Sequence, residues 1–235
     1  MGIKGRTWRQ RQKRLCENKP ISLAEKPEYI ALFKWAKKNG VIFDKMKPAL
    51  FPGIGRGLMA TGKIEIGKSL ISVPKYLLIT RDTIRQRYFP GQLLKSDIST
   101  IDLLCLFLII ENSLRSDSFW FPYLAMLPKV FTTPSYLSET ELKILPPFLT
   151  DHCLAQLKDV RKCLGNLKQF VNCIAMETRK NIDLTFESVR WAWNAVNTRS
   201  VYMDYGSNVV GEGTTSCALA PLLDLLNHSC DVEVL

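Results

Sequence analysis

The chain changes its hydrophobic rhythm twice, and this order constrains its fold more than any other feature. Residues 41–80 are cut by Pro52, Gly53, Gly55, Gly57, Gly62 and Gly67 into short apolar runs. Ser69–Val73 reads as a strand ended by Pro74, and Tyr76–Thr80 as another, so this stretch predicts an irregular β unit. From about 81 to 200 the helical period takes over. Leu104, Phe107 and Leu108 form a stripe, and Ser138 with Glu141 makes a capping box ahead of Leu142 and Leu145. Phe186, Val189, Trp193 and Val196 share one helical face. Pro122, Pro128, Pro134, Pro146 and Pro147 divide the block into segments. Residues 201–235 return to a turn-rich, β-like character. Asp204–Gly213 carries hairpin chemistry, Cys217–Leu226 is apolar, and Asp231–Leu235 alternates and then stops in mid-element. The expected fold class is α+β.

Ahead of the β unit, residues 1–26 are polar, basic and aperiodic and read as a disordered tail. Pro27 then opens a helix with Tyr29, Phe33 and Ala36 on one face, Lys37 and Lys38 in its last turn and Gly40 as its stop. The formal net charge is +10, and Lys4, Arg6, Arg9, Arg11, Lys13 and Arg14 precede the first acid, Glu17. Such a run is a solvated tail, a nuclear-import signal or a nucleic-acid arm. Hydrophobic residues make up 46%, enough for a core and against global disorder.

The basic N-terminus has no apolar stretch after it, so it is not a secretory signal. The seven cysteines contain no C-x-x-C pair, and these features together point to free thiols in a reducing compartment. With only His152 and His228 beside them, no metal site is expected. The longest apolar run, Leu103–Ile110, ends at Glu111 and falls far short of the roughly 20 residues a membrane span needs. It reads as a buried helix, and no membrane partner is expected. Arg6 stands where N-myristoylation needs Ser or Thr, which removes that anchor too.

Two segments carry chemistry. In Pro52–Thr61 alternating glycines permit positive φ and close backbone approach, yet strand-like sequence follows where a dinucleotide loop needs a helix. No Gly-Lys-Ser/Thr makes it a phosphate loop. By itself it is either a ligand cradle or a plain turn between strands. In Leu222–Cys230 an apolar run ends abruptly in Asn227, His228, Ser229 and Cys230. Here His228 is either a core imidazole at a turn or the partner of a Ser229 or Cys230 nucleophile, though no acid partner or nucleophile elbow supports hydrolysis. His152 lies in a polar helical stretch and reads as ordinary.

Taken together and in this order, Gly53-Ile54-Gly55-Arg56-Gly57-Leu58, the strand ending at Val73-Pro74, and Asp224-Leu225-Leu226-Asn227-His228-Ser229 resemble the SET-domain protein methyltransferases. The helical block, with Phe119–Leu124 and Leu127-Pro128, resembles the long insert of the branch that includes the Rubisco large-subunit methyltransferase. The resemblance covers about residues 28–235. It implies a SET-type irregular β fold interrupted by a helical insert and incomplete at the C-terminus. Residues 27–80 would form its N-terminal part, 81–200 the insert, and 201–235 the return to the core. The implied activity is S-adenosylmethionine-dependent methylation of a protein lysine, on a histone or another protein; the branch also includes a histidine methylator.

The resemblance assigns cofactor contacts residue by residue. Ile54, Gly55 and Arg56 would cradle the cofactor. Asn227 would approach its methionine portion, the His228 backbone would read the adenine edge, and Asp224 would lie beside it. Arg199 would hold the cofactor carboxylate, a task for which its fork is suited; as a plain residue it is a helix C-terminal arginine favoured by the dipole. Met59 and Val201 depart from the pattern. The catalytic tyrosine is expected beyond Leu235, since Tyr202 and Tyr205 precede the motif. The chain itself is therefore expected to be an inactive, truncated product with open strand edges. The alternative is a non-catalytic module that contacts protein or nucleic acid through residues 4–14. The basic tail suggests both nuclear and cytoplasmic residence.

Overall fold

The computed structural model describes residues 19–90, 98–174, 182, 184–203 and 217–228. The basic run at 4–14, the hairpin expected at Asp204–Gly213, Ser229, Cys230 and the strand expected at Asp231–Leu235 lie outside the described residues. Two compact units are present: Met1–Pro74 with Leu222–Leu235, and Lys75–Pro221.

In the first unit, β1 (Ile21–Ser22) lies inside the segment read as a tail. Two residues are too short to show a period of two, so only its pairing partner reveals it. α1 (Pro27–Lys38) has Pro27 in its first turn, buries Tyr29, Leu32 and Ala36, and is followed by Gly40 at φ 78°. β2 (Ile42–Phe43), β3 (Met46–Phe51), β4 (Gly55–Ala60) and β5 (Ile71–Ser72) follow. β3 and β4 form a hairpin from Met46↔Ala60 to Phe51↔Gly55, and β1 adds to its other edge through Ile21↔Leu50 and Ser22↔Ala49. β2 and β5 pair separately. Phe33 of α1 is only half-buried and stands edge-on to Phe43, with centroids 5.2 Å apart.

The second unit begins with a 3-10 turn at Lys75–Leu77, where a strand is expected from the apolar run. Only Ile79 joins a sheet, exchanging two 3.0 Å hydrogen bonds with Leu219. α2 (Arg81–Tyr88) starts from a Thr80–Thr83 capping box. α3 (Thr100–Leu114) is buried on nearly all sides, Leu103–Ile110 included, as a helix apolar all round must be. α4 (Phe121–Leu124), α5 (Glu139–Ile144, capped by Ser138 and Glu141), α6 (Pro147–Ile174) and α7 (Phe186–Arg199) follow. α7 is the principal neighbour of α3. β6 (Ser200–Tyr202) and β7 (Cys217–Leu219) close the unit as an antiparallel pair. Among the described residues no helix is long and apolar enough to cross a membrane.

A buried asparagine fixes α7 to the loop before α5. Asn194 accepts from Thr133 at 2.6 Å and Ser135 at 3.1 Å, and donates to Ser135 Oγ at 2.8 Å and to the Arg190 carbonyl at 2.7 Å. Beside it Trp191 Nε1 donates to the Pro128 carbonyl at 2.8 Å. Asn194→Leu removes the four carboxamide bonds and leaves the Thr133 and Ser135 hydroxyls with only their own 3.4 Å contact. It is expected to lower unfolding free energy by about 1–3 kcal/mol in urea titration; an unchanged midpoint would show that water replaces the asparagine freely.

Candidate functional site

The glycine segment is the tip of the β3–β4 hairpin. Pro52 and Gly53 occupy its turn, Gly53 at φ 74°, and Ile54 N donates to the Phe51 carbonyl at 3.1 Å. A Pro-Gly pair with glycine at positive φ is the chemistry of a type II turn. Gly55 follows at φ 104°, and a Cβ there would meet nothing within 4 Å. Glycine is therefore needed at both positions for backbone conformation. Ile54 is 71% exposed, which is unusual for isoleucine and leaves the loop face open to a ligand.

The second segment enters through Leu222, a buried residue held at φ 74°, ψ −40°. Left-handed conformations cost bulky residues roughly 1–2 kcal/mol, so the surroundings must impose this one. A 3-10 turn over Leu223–Leu225 follows, with Leu225 buried and Asp224 half-buried. Asn227 and His228 then come out exposed, which corrects the reading of His228 as a core imidazole. The strand expected to carry the motif is a turn, because Leu222 reverses the backbone before pairing can continue.

The two segments meet. The Asn227 carboxamide lies against Gly57, so close that a Cβ built there would sit 2.4 Å from Nδ2 and 2.5 Å from Oδ1. Ile54, Gly55, Arg56, Asp224, Asn227 and His228 thus belong to one unit, with loop and motif in contact at Gly57. Arg199 belongs to the other unit, half-buried as the last residue of α7 where the helix dipole favours a cation. Val201 and Tyr202 follow on β6. The contact of Gly57 with Asn227 is the feature of this surface that the sequence reading did not assign. Gly57 was visible as the third glycine of the loop, but its partner 170 positions on was not.

The second unit holds a further concavity of about 630 Å³, floored by Phe107 and Trp120, with Tyr76, Thr80, Lys75 and Arg87 around it. Glu111 is buried on α3, accepting from the Tyr88 and Ser118 hydroxyls, with Arg87 Nε 3.4 Å away. Burial first, and then the hydrogen bond to Glu111, hold the Tyr88 hydroxyl well above the ordinary tyrosine range. Nothing in the sequence pattern marks this cluster, since its members come from α2, α3 and the turn before α4.

The hydrogen bond to Cys105, and then burial, push the Cys163 thiol up, and burial pushes Cys217 up, so both stay protonated near neutral pH. The described cysteines Cys105, Cys153, Cys163 and Cys217 are free. Among the described residues no group of three or more His, Cys, Asp or Glu side chains converges as a metal site. His152 is an exposed residue of α6, 3.5 Å from Gln156.

Comparison with known proteins gives the family and the fold. Residues 55–234 match the SET domain family, and the chain belongs to it. Human SET domain-containing protein 4 is 35% identical over 98% of this chain and 54% of its own length. The Artemia parthenogenetica protein of that name is 31% identical over 86% of the chain and 50% of its own length. Actin-histidine N-methyltransferase of Xenopus tropicalis is 30% identical over 84% and 34%. Among solved structures, the SET domain of LSMT bound to lysine and AdoHcy aligns with a TM-score of 0.72 at 25% identity, over 90% of this chain and 46% of that one. Rubisco LSMT bound to AdoMet gives 0.67 at 26% identity, over 88% and 46%. The chain spans about half the length of the SET domain-containing protein 4 relatives, 54% in the human case. The fold is the SET fold with its helical insert, as the motif order implied.

Proposed function

We propose that this chain carries the cofactor-binding part of an S-adenosylmethionine-dependent protein-lysine N-methyltransferase. The observation that carries the reading is the meeting of Asn227 with the glycine loop, which makes one surface of two segments distant in sequence. The residues suit the ligand. An open hairpin tip with Gly55 at positive φ admits close backbone approach, and the exposed Asn227 carboxamide offers both an acceptor and donors. Arg199 supplies a fork for a carboxylate. Solved relatives that hold AdoMet, AdoHcy and lysine support both the cofactor and a lysine acceptor.

When bound, the cofactor supplies a sulfonium methyl carbon for in-line attack by a neutral nitrogen. The chain's own residues work by positioning: the loop and Asn227 orient the amino-acid end, and Arg199 fixes its carboxylate. A histone or non-histone lysine is the acceptor in this reading, and the actin-histidine relative marks histidine as the competing one. The basic run at 4–14 extends the reading to nuclear as well as cytoplasmic residence.

Calorimetric titration of the chain with S-adenosylmethionine tests the proposal. Saturable binding is expected, with Arg199→Ala weaker by roughly tenfold or more and His152→Ala unchanged. A folded chain that gives no binding heat, or an Arg199→Ala variant with undiminished affinity, would sink it.

A further inference from the structure

Five glycines punctuate residues 53–67 of the first unit, and Gly57 alone among them is crowded where a Cβ would stand, since Gly62 would make only an ordinary 3.9 Å contact with Lys45. Gly53, Gly55 and Gly67 have positive φ and open space where a Cβ would stand. Gly57 is the reverse case. Its backbone is ordinary strand, paired with Ala49 across the hairpin, and any residue could adopt it. What excludes a side chain is the Asn227 carboxamide, whose Nδ2, Oδ1 and Cγ would all lie 2.4–2.6 Å from a Cβ. No backbone atom is among these nearest neighbours.

We propose that Gly57 is a positioning residue: the bare strand at this point is the seat that sets the Asn227 carboxamide toward the cofactor. The proposal rests on the cofactor reading given above. The physical argument is one of cost. The atoms nearest a methyl group at Gly57 are the end of a short side chain, so the fold yields by rotating Asn227 about its χ angles and not by moving β4. The strand survives and the carboxamide points elsewhere. A structural glycine would behave in the opposite way, losing stability when substituted and ignoring the identity of residue 227.

The test is a double-mutant cycle on the full chain with S-adenosylmethionine as probe. Gly57→Ala is expected to keep the wild-type melting temperature within a few degrees and to bind roughly tenfold more weakly, matching Asn227→Ala. The double variant is expected to be no weaker than either single one. The side-chain amide resonances of Asn227 in a 15N spectrum are expected to move in Gly57→Ala, with cofactor present or absent. Wild-type affinity in Gly57→Ala, additive losses in the double variant, or unmoved Asn227 resonances would overturn the proposal. Should Gly57→Ala fail to fold, Gly57→Ala with Asn227→Gly decides: recovery of a cooperative melt supports the seat, and continued failure overturns it. Should the wild-type chain bind no cofactor, the functional reading fails, and the amide resonances still decide whether Gly57 sets Asn227.

Discussion

Glu111→Ala is expected to destabilise the chain by about 2–4 kcal/mol, the loss expected when two hydroxyls lose a fully buried carboxylate acceptor. Glu111 is 0% exposed on the most buried helix of the second unit. Its carboxylate accepts from Tyr88 and Ser118 and faces Arg87 at 3.4 Å. Ser118 Oγ in turn accepts from Trp120 N at 3.0 Å. Alanine leaves two hydroxyls without their common acceptor, while the half-exposed Arg87 guanidinium turns to water. Urea denaturation followed by circular dichroism measures the loss, and a shift below about 1 kcal/mol would show the cluster to be well hydrated.

The cluster also sets an alkaline limit. The Tyr88 phenol is held above its ordinary value of 10.0 by burial and by Glu111, with Arg87 opposing. An unfolded chain loses that proton near pH 10 while the folded chain keeps it, so above pH 10 the unfolded state binds fewer protons. The contribution is therefore present in full below pH 10 and is lost as pH rises through the higher folded value. Tyr88→Phe is expected to flatten that part of the stability profile.

Phe107→Ala is the second large effect, about 3–5 kcal/mol, from lost transfer energy and the cavity left behind. Phe107 is 2% exposed and stands edge-on to both Trp120, at 5.8 Å and 76°, and Tyr88, at 6.2 Å and 75°. Rings at those separations and angles add to the area term. Ile144→Ala, at a site 82% exposed on α5, is the control and is expected within about 0.5 kcal/mol of wild type. Phe107 and Glu111 share Tyr88 as a neighbour, so the two losses are expected to fall short of additive in the double variant. Equal losses at Phe107 and Ile144 would refute the assignment of the core to α3.

The family and much of the framework were legible in the residues alone. α1 is written by Pro27, a spaced apolar face and Gly40, and α5 by the Ser138–Glu141 box. The burial of α3 follows from eight consecutive apolar residues. The order of the motifs by itself points to the SET fold. These signals are local: each depends on spacing within one or two helical turns or on a turn's own backbone demands.

Tertiary structure decided what depends on distant partners. β1 is two residues long and exists because β3 offers it an edge. Lys75–Leu77 forms a 3-10 turn despite its strand-like composition, with only Ile79 reaching a partner at Leu219. His228 is exposed and not buried, because Leu222 turns the chain before the motif. The pairing of Gly57 with Asn227 has no local signature at all. A glycine needed for its φ announces itself through the turn around it, whereas a glycine needed for its missing side chain is explained only by whatever the fold lays against it.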